Sequence, residues 1–126
     1  MGIKLFDSEL KVMEILWNKG DLTAGQLATI LKEQIGWNRN TTYTVIKKLI
    51  DKRAIERSEP NFFCKAIITK KQVQQHEATA LVGKLFGGSA GLFLSAFLGG
   101  NSLPDDEIER LKQLIQRIEQ QSQGDT

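Results

Sequence analysis

Apolar residues recur at helical spacing from the start of the chain. Leu10, Met13, Leu16 and Trp17 fall on one face of a helix that Asp7 can cap. Lys19-Gly20-Asp21 ends that helix, with a cation in the last turn and then a glycine able to take positive φ. Thr23-Ala24-Gly25-Gln26 has the spacing of a capping box and opens a second helix. Its apolar positions are Leu27, Ala28, Ile30, Leu31 and Ile35, and Gly36 closes it. Trp37-Asn38-Arg39-Asn40 forms a short joint, with Asn40 as the expected cap of a third helix from about Thr41 to Lys52. On a wheel of roughly 100° per residue, Thr42, Val45, Ile46, Leu49 and Ile50 gather on one face. Asn40, Tyr43, Thr44, Lys47, Lys48 and Asp51 lie on or beside the other.

The period then shortens. Ala54-Ile55-Glu56-Arg57 reads as a strand, Ser58-Glu59-Pro60-Asn61 as a turn, and Phe62 to Ile67 as the returning strand of a hairpin. A second capping box, Thr69-Lys70-Lys71-Gln72, opens a fourth helix toward Leu85. Gly87-Gly88 and Gly99-Gly100-Asn101 isolate a very apolar helix or turn from Ser89 to Leu98. Pro104 suits the first position of a last helix, with Asp105, Asp106 and Glu107 at its positive end. Ile108, Leu111, Ile115 and Ile118 form the seam of that helix. The predicted fold is mainly α: a winged helix-turn-helix domain over residues 1–70, then a helical dimerisation region over 71–126.

Composition narrows the function. The 126 residues amount to about one domain, or one small domain with an appendage, and 40% hydrophobic with 25% charged is an ordinary folded composition. A single cysteine, Cys64, and a single histidine, His76, leave no intrachain disulfide and no cysteine-cluster metal site. The longest apolar stretch, Leu85 to Gly100, is 16 residues with five glycines, short of the roughly 20 that span a bilayer. With no signal-like apolar run near Met1, a cytoplasmic location is the expectation. The net charge of +2 hides an asymmetry: residues 1–75 hold 13 Lys and Arg against 8 Asp and Glu, and residues 76–126 hold 4 against 7. Six cations, Arg39, Lys47, Lys48, Lys52, Arg53 and Arg57, crowd the third helix and the strand after it. Such an excess suits a polyanion, but on charge alone a solvated face is the commoner explanation, and the case for nucleic acid has to come from organisation.

Enzymatic readings fail on the residues. His76-Glu77-Ala78-Thr79-Ala80 starts like the metalloprotease HExxH, but Ala80 removes the second imidazole. The glycine-rich segments lack the Gly-Lys-Ser/Thr ending of a phosphate loop, and no cofactor is implied. DNA recognition uses more of the residues. In a helix-turn-helix the third helix enters the major groove. Asn40 could read adenine, and Thr41 and Thr44 could bond a base edge or touch a thymine methyl, with a plain helix-start residue as the other reading of Thr41. Lys47, Lys48 and Arg57 are spaced for phosphates and Arg39 for groove edge or backbone, while Tyr43 either meets sugar or phosphate or packs half-buried against the wing. The competing reading is a winged helix that binds a protein surface without specific DNA binding.

The run Asn40-Thr41-Thr42-Tyr43-Thr44-Val45-Ile46-Lys47-Lys48-Leu49, followed by Ala54-Ile55-Glu56-Arg57, resembles the penicillinase repressor family of BlaI/MecI type. So do Leu10 to Trp17 and Leu85-Phe86-Gly87-Gly88, in unbroken order from about Leu5 to Glu119. The resemblance implies a homodimeric repressor on a palindromic operator, in the family often built on TACA/TGTA half-sites. It places the dimer contacts in the C-terminal helices, where Leu81, Leu85, Phe86, Phe93, Leu94, Phe97, Ile108, Leu111, Ile115 and Ile118 supply apolar surface. It also implies inactivation by cleavage, triggered by a membrane metalloprotease receptor. By position from Gly87-Gly88, the corresponding bond is Ala96–Phe97, with alanine where the family has asparagine. The paired Cys-x-Cys motifs of the family's copper-responsive branch are missing, so metal sensing by that route is not expected.

Overall fold

A computed structural model describes residues 4–100 and 103–124; side chains are described throughout these spans except at Ile115 and from Ile118 onward. The chain divides into two compact units, one ending at Leu81 and one beginning at Val82.

The first unit follows the order set by the hydrophobic pattern. Helix α1 spans Asp7–Lys19, α2 Ala24–Ile35 and α3 Arg39–Asp51, and strands β2 (Ile55–Ser58) and β3 (Phe63–Ala66) form the hairpin. Helix α4, Lys70–Leu85, begins here and crosses the boundary between the units. A two-residue strand, β1 (Leu22–Thr23), was not expected; it pairs antiparallel with β3, giving a sheet of order β1-β3-β2. Leu22 stands opposite Cys64, and Ile55 opposite Ala66. The hairpin is thereby tied to the entrance of α2.

Both expected capping boxes form. Thr23 Oγ1 accepts the Gln26 N–H at 3.1 Å while Gln26 Oε1 accepts the Thr23 N–H at 2.9 Å. Thr69 and Gln72 repeat this at 3.0 and 2.8 Å. Gly36 closes α2 in the left-handed region, φ 75°, where a β-carbon would be strained. The start of α1 corrects the sequence reading. Asp7 is the first helical residue rather than the cap, and Glu9 Oε1 accepts the Phe6 N–H at 2.8 Å.

One core holds this unit together. Met13, Leu27, Leu31, Ile46, Leu49 and Ile55 are fully buried, with Val12, Leu16, Val45, Cys64 and Val73 around them. Each large aliphatic side chain removed from water contributes roughly 1.5–3 kcal/mol. Trp17 donates its indole N–H to the Ile68 carbonyl at 3.0 Å, which fixes the segment leaving the hairpin against α1.

The second unit comprises the end of α4, helix α5 (Ala90–Gly100) and helix α6 (Asp105–Gly124). Gly99 and Gly100 continue α5 instead of breaking it, and α6 starts one residue after Pro104. Phe86, Phe93 and Phe97 form a ladder of rings, with centroids 5.5 and 6.2 Å apart. No described side chain from Val82 onward is buried.

Candidate nucleic-acid interface

Helix α3 carries the candidate interface, and its burial pattern orients it. Thr42, Val45, Ile46 and Leu49 are buried, so the helix presents Asn40, Thr44, Lys47 and Lys48 to solvent along the opposite side. These four have neither an ion pair nor a hydrogen bond from their side chains among the described residues. An amide, a hydroxyl and two ammonium groups are thus left free on one stripe.

The cap of α3 differs from expectation. Asn38, not Asn40, is the N-cap: its Oδ1 accepts the Thr41 N–H at 2.8 Å and the Thr41 hydroxyl at 3.0 Å. Asn40 therefore sits inside the first turn, with its side chain released for other contacts. Thr41, expected to face a base, is exposed, but its hydroxyl proton is engaged by the cap.

A chain of stacked groups links the start of α3 to the hairpin. Arg39 Nη2 donates to the Tyr43 hydroxyl at 2.8 Å, and its guanidinium carbon lies 4.9 Å from the Tyr43 ring centroid. Tyr43 meets Phe62 edge-to-face at 5.7 Å. The Arg57 guanidinium lies 3.6 Å from the Phe62 centroid and is paired with Glu59. Arg39, Tyr43 and Arg57 were singled out in the sequence; Phe62, which joins them, was read only as a strand residue. Its ring is placed by a positive φ of 53°, a conformation that no β-propensity signals.

Two further cations behave differently from their charge count. Lys52 Nζ lies 2.6 Å from Glu9 Oε1 and donates to the Lys4 carbonyl at 3.0 Å, so it clamps the end of α3 to the start of α1. Glu9 is almost wholly buried, and its Oε2 has no partner among the described residues. Arg53 is exposed beyond the end of α3, at φ 63°. Cys64 is buried in the core, where desolvation pushes its thiol up to about 11. Among the described residues no group of three or more His, Cys, Asp or Glu could hold a metal ion.

The residues expected in a dimer contact divide by exposure. Leu81, Leu85, Phe97 and Ile108 are exposed; Phe86, Phe93, Leu94 and Leu111 are partly buried. The side chains of Ile115 and Ile118 lie outside the described residues. Ala96 and Phe97 are both exposed within α5. No single described helix is long and apolar enough to cross a membrane.

Known proteins give this architecture a place. The chain is 25% identical to a penicillinase repressor of Staphylococcus aureus over 92% of its length and 94% of that protein's. It is 23% identical to the methicillin resistance regulatory protein MecI of Staphylococcus aureus, over 90% and 94%. The solution structure of the DNA-binding domain of the repressor BlaI superimposes with a TM-score of 0.52 at 22% identity, covering 57% of this chain and 93% of that one. The Bacillus licheniformis BlaI monomer, determined with the blaP half-operator, gives 0.50 at 23% identity, over 57% and 90%. Both share its fold: the three helices and hairpin described here are a winged helix-turn-helix. The penicillinase repressor family profile matches residues 5–117, and the chain belongs to that family.

Proposed function

We propose that this protein is a DNA-binding transcriptional repressor that acts as a homodimer on an inverted-repeat operator. The observation that carries the reading is the free stripe of α3, where Asn40, Thr44, Lys47 and Lys48 stand exposed opposite a fully buried face. Seated in a major groove, such a stripe sets Asn40 and Thr44 against base edges and the two lysines against flanking phosphates. Arg39 and Arg57, joined through Tyr43 and Phe62, supply cations on the hairpin side. The BlaI relative solved with its half-operator supports this use of the fold.

Residues 1–70 are the DNA-binding domain in this proposal, and residues 71–126 form the dimer. Apolar side chains such as Leu85 and Leu92, 64% and 61% exposed in the single chain, support a second copy as their cover. Release from the operator follows cleavage within the C-terminal part, at or near Ala96–Phe97, on the signal of a membrane metalloprotease receptor. The deciding experiment is a mobility shift against the DNA upstream of the protein's own gene. A shift that requires both arms of an inverted repeat and weakens steeply with salt supports the reading. Equal retention of scrambled and native sequences would leave only a nonspecific DNA binder.

A further inference from the structure

Glu59, at the tip of the hairpin, puts a carboxylate among groups suited to gripping phosphate. Its Oε1 accepts Arg57 Nε–H at 2.7 Å and lies 2.7 Å from Arg57 Nη2, so the guanidinium fork closes on one oxygen. Its Oε2 accepts the Phe62 N–H at 3.3 Å. The bond from the Phe62 backbone, and then the one from Arg57, hold the Glu59 carboxyl below its usual range. It is therefore anionic at neutral pH. The Phe62 ring, 3.6 Å from the guanidinium carbon to its centroid, keeps Arg57 over the hairpin. A single negative group thus already occupies the cation that a DNA backbone would use.

We propose that Glu59 is an internal stand-in for a DNA phosphate: it holds Arg57 in the free protein, and a duplex phosphate must displace it before that cation anchors the backbone. The proposal rests on the DNA-binding reading above and names a residue that sets the threshold for nonspecific binding. The exchange needs no refolding. Glu59 is joined to the turn by its other oxygen, and Arg57 is held over the hairpin by Phe62, so only the contact between the two must open. Arg57 and Glu59 are both substantially exposed, at 45% and 62% respectively, and an exposed ion pair is weak. Displacement therefore costs only a few-fold in affinity, which a seated duplex supplies through its other contacts. The released cation remains linked through Phe62 and Tyr43 to Arg39, so both guanidinium groups stay on the hairpin side of α3.

Glu59→Gln tests this directly, since glutamine keeps an oxygen for the Phe62 N–H and loses the charge. Full-length protein is titrated onto a random-sequence duplex at several salt concentrations. Glu59→Gln should bind about two- to fivefold more tightly. The slope of log affinity against log salt should not change, because the same phosphates are neutralised in both proteins. The gain should vanish in an Arg57→Ala background. A gain that persists there would mean that Glu59 merely repels DNA, and would overturn the proposal. So would no gain at all, or a slope steeper by about one unit, which would mean that the pair stays closed on DNA. Wild-type protein that binds no duplex at low salt would overturn the DNA-binding reading and the proposal together.

Discussion

Arg53 follows the last turn of α3 at φ 63°, in the left-handed region where a β-carbon is disfavoured. The turn itself is well bonded: the Ala54 N–H reaches the Leu49 carbonyl at 2.9 Å and the Arg53 N–H that of Ile50 at 3.0 Å. Arg53→Gly should therefore stabilise the fold by about 1 kcal/mol in urea unfolding, while weakening DNA binding through the lost cation. On the free stripe only binding is expected to change. Asn40→Ala and Thr44→Ala leave the core untouched, yet each should cost about 1–3 kcal/mol on operator and far less on random DNA. Equal losses on both would make these side chains phosphate anchors. Cys64 gives a pH signature. Its folded value near 11 exceeds the ordinary 9.0, so the unfolded thiol ionises first. Stability should fall as pH rises from about 9 to 11, by up to roughly 2–3 kcal/mol, and Cys64→Ala should remove that component of the pH profile. Several residue roles were legible in sequence because they depend on near neighbours, as the Thr23–Gln26 and Thr69–Gln72 caps do. Asn40 was the expected cap of α3, but Asn38, two residues earlier and with the same side-chain chemistry, holds that place, and only the backbone decides between them. The Glu9–Lys52 pair spans 43 residues, so no local pattern could announce it.

At the level of elements, periodicity was informative wherever a face is buried, and that covers α1, α2, α3 and the hairpin. Strand β1 escaped because two residues cannot show a period; its existence depends on β3, some forty positions along the chain. Helix α5 extended beyond its expected end for a related reason. Gly99-Gly100 reads as a break by propensity, but glycine only weakens a helix and does not forbid it. Consequences for DNA binding follow from how α3 and the hairpin are oriented. Lys47→Ala and Lys48→Ala should each weaken binding to every sequence and reduce the salt slope by about one unit. An unchanged slope would place that ammonium away from the backbone. The proposed cleavage bond raises a separate point. Ala96–Phe97 lies within α5, and its N–H and C=O groups are engaged in a helix, whereas a protease needs the chain extended. Cleavage therefore requires local opening of α5. Gly99→Ala, which favours the helix by roughly 0.5–1 kcal/mol, should slow cleavage in a limited-proteolysis time course. A faster cut would show that the exposed surface, and not the helical state, controls access.

For the whole molecule, the distribution of burial separates the two units. Among the described residues every buried hydrophobic falls between Leu5 and Val73, and none lies from Val82 onward. Yet the second unit is far from polar: Leu85, Leu92, Phe97, Leu98 and Leu114 are all exposed. Helices this apolar gain little from their own chain, and burial of each such side chain between copies contributes roughly 1.5–3 kcal/mol before association costs. On the proposed reading, that contact is what joins two modest half-site affinities into one. Once the first domain is bound, the second meets its half-site at a high effective concentration, which strengthens binding by about a hundredfold or more without a new DNA contact. A chain ending at Ala96 tests this coupling. It lacks Phe97, Leu98 and all of α6, while every buried residue of the DNA-binding unit is retained. It should sediment as a monomer at micromolar concentration, keep the melting transition of the first unit, and bind a full inverted repeat no better than one arm of it. A truncated protein that remained a dimer and held its full operator affinity would place the dimer contact before Ala96, and cutting the chain there could not release the operator.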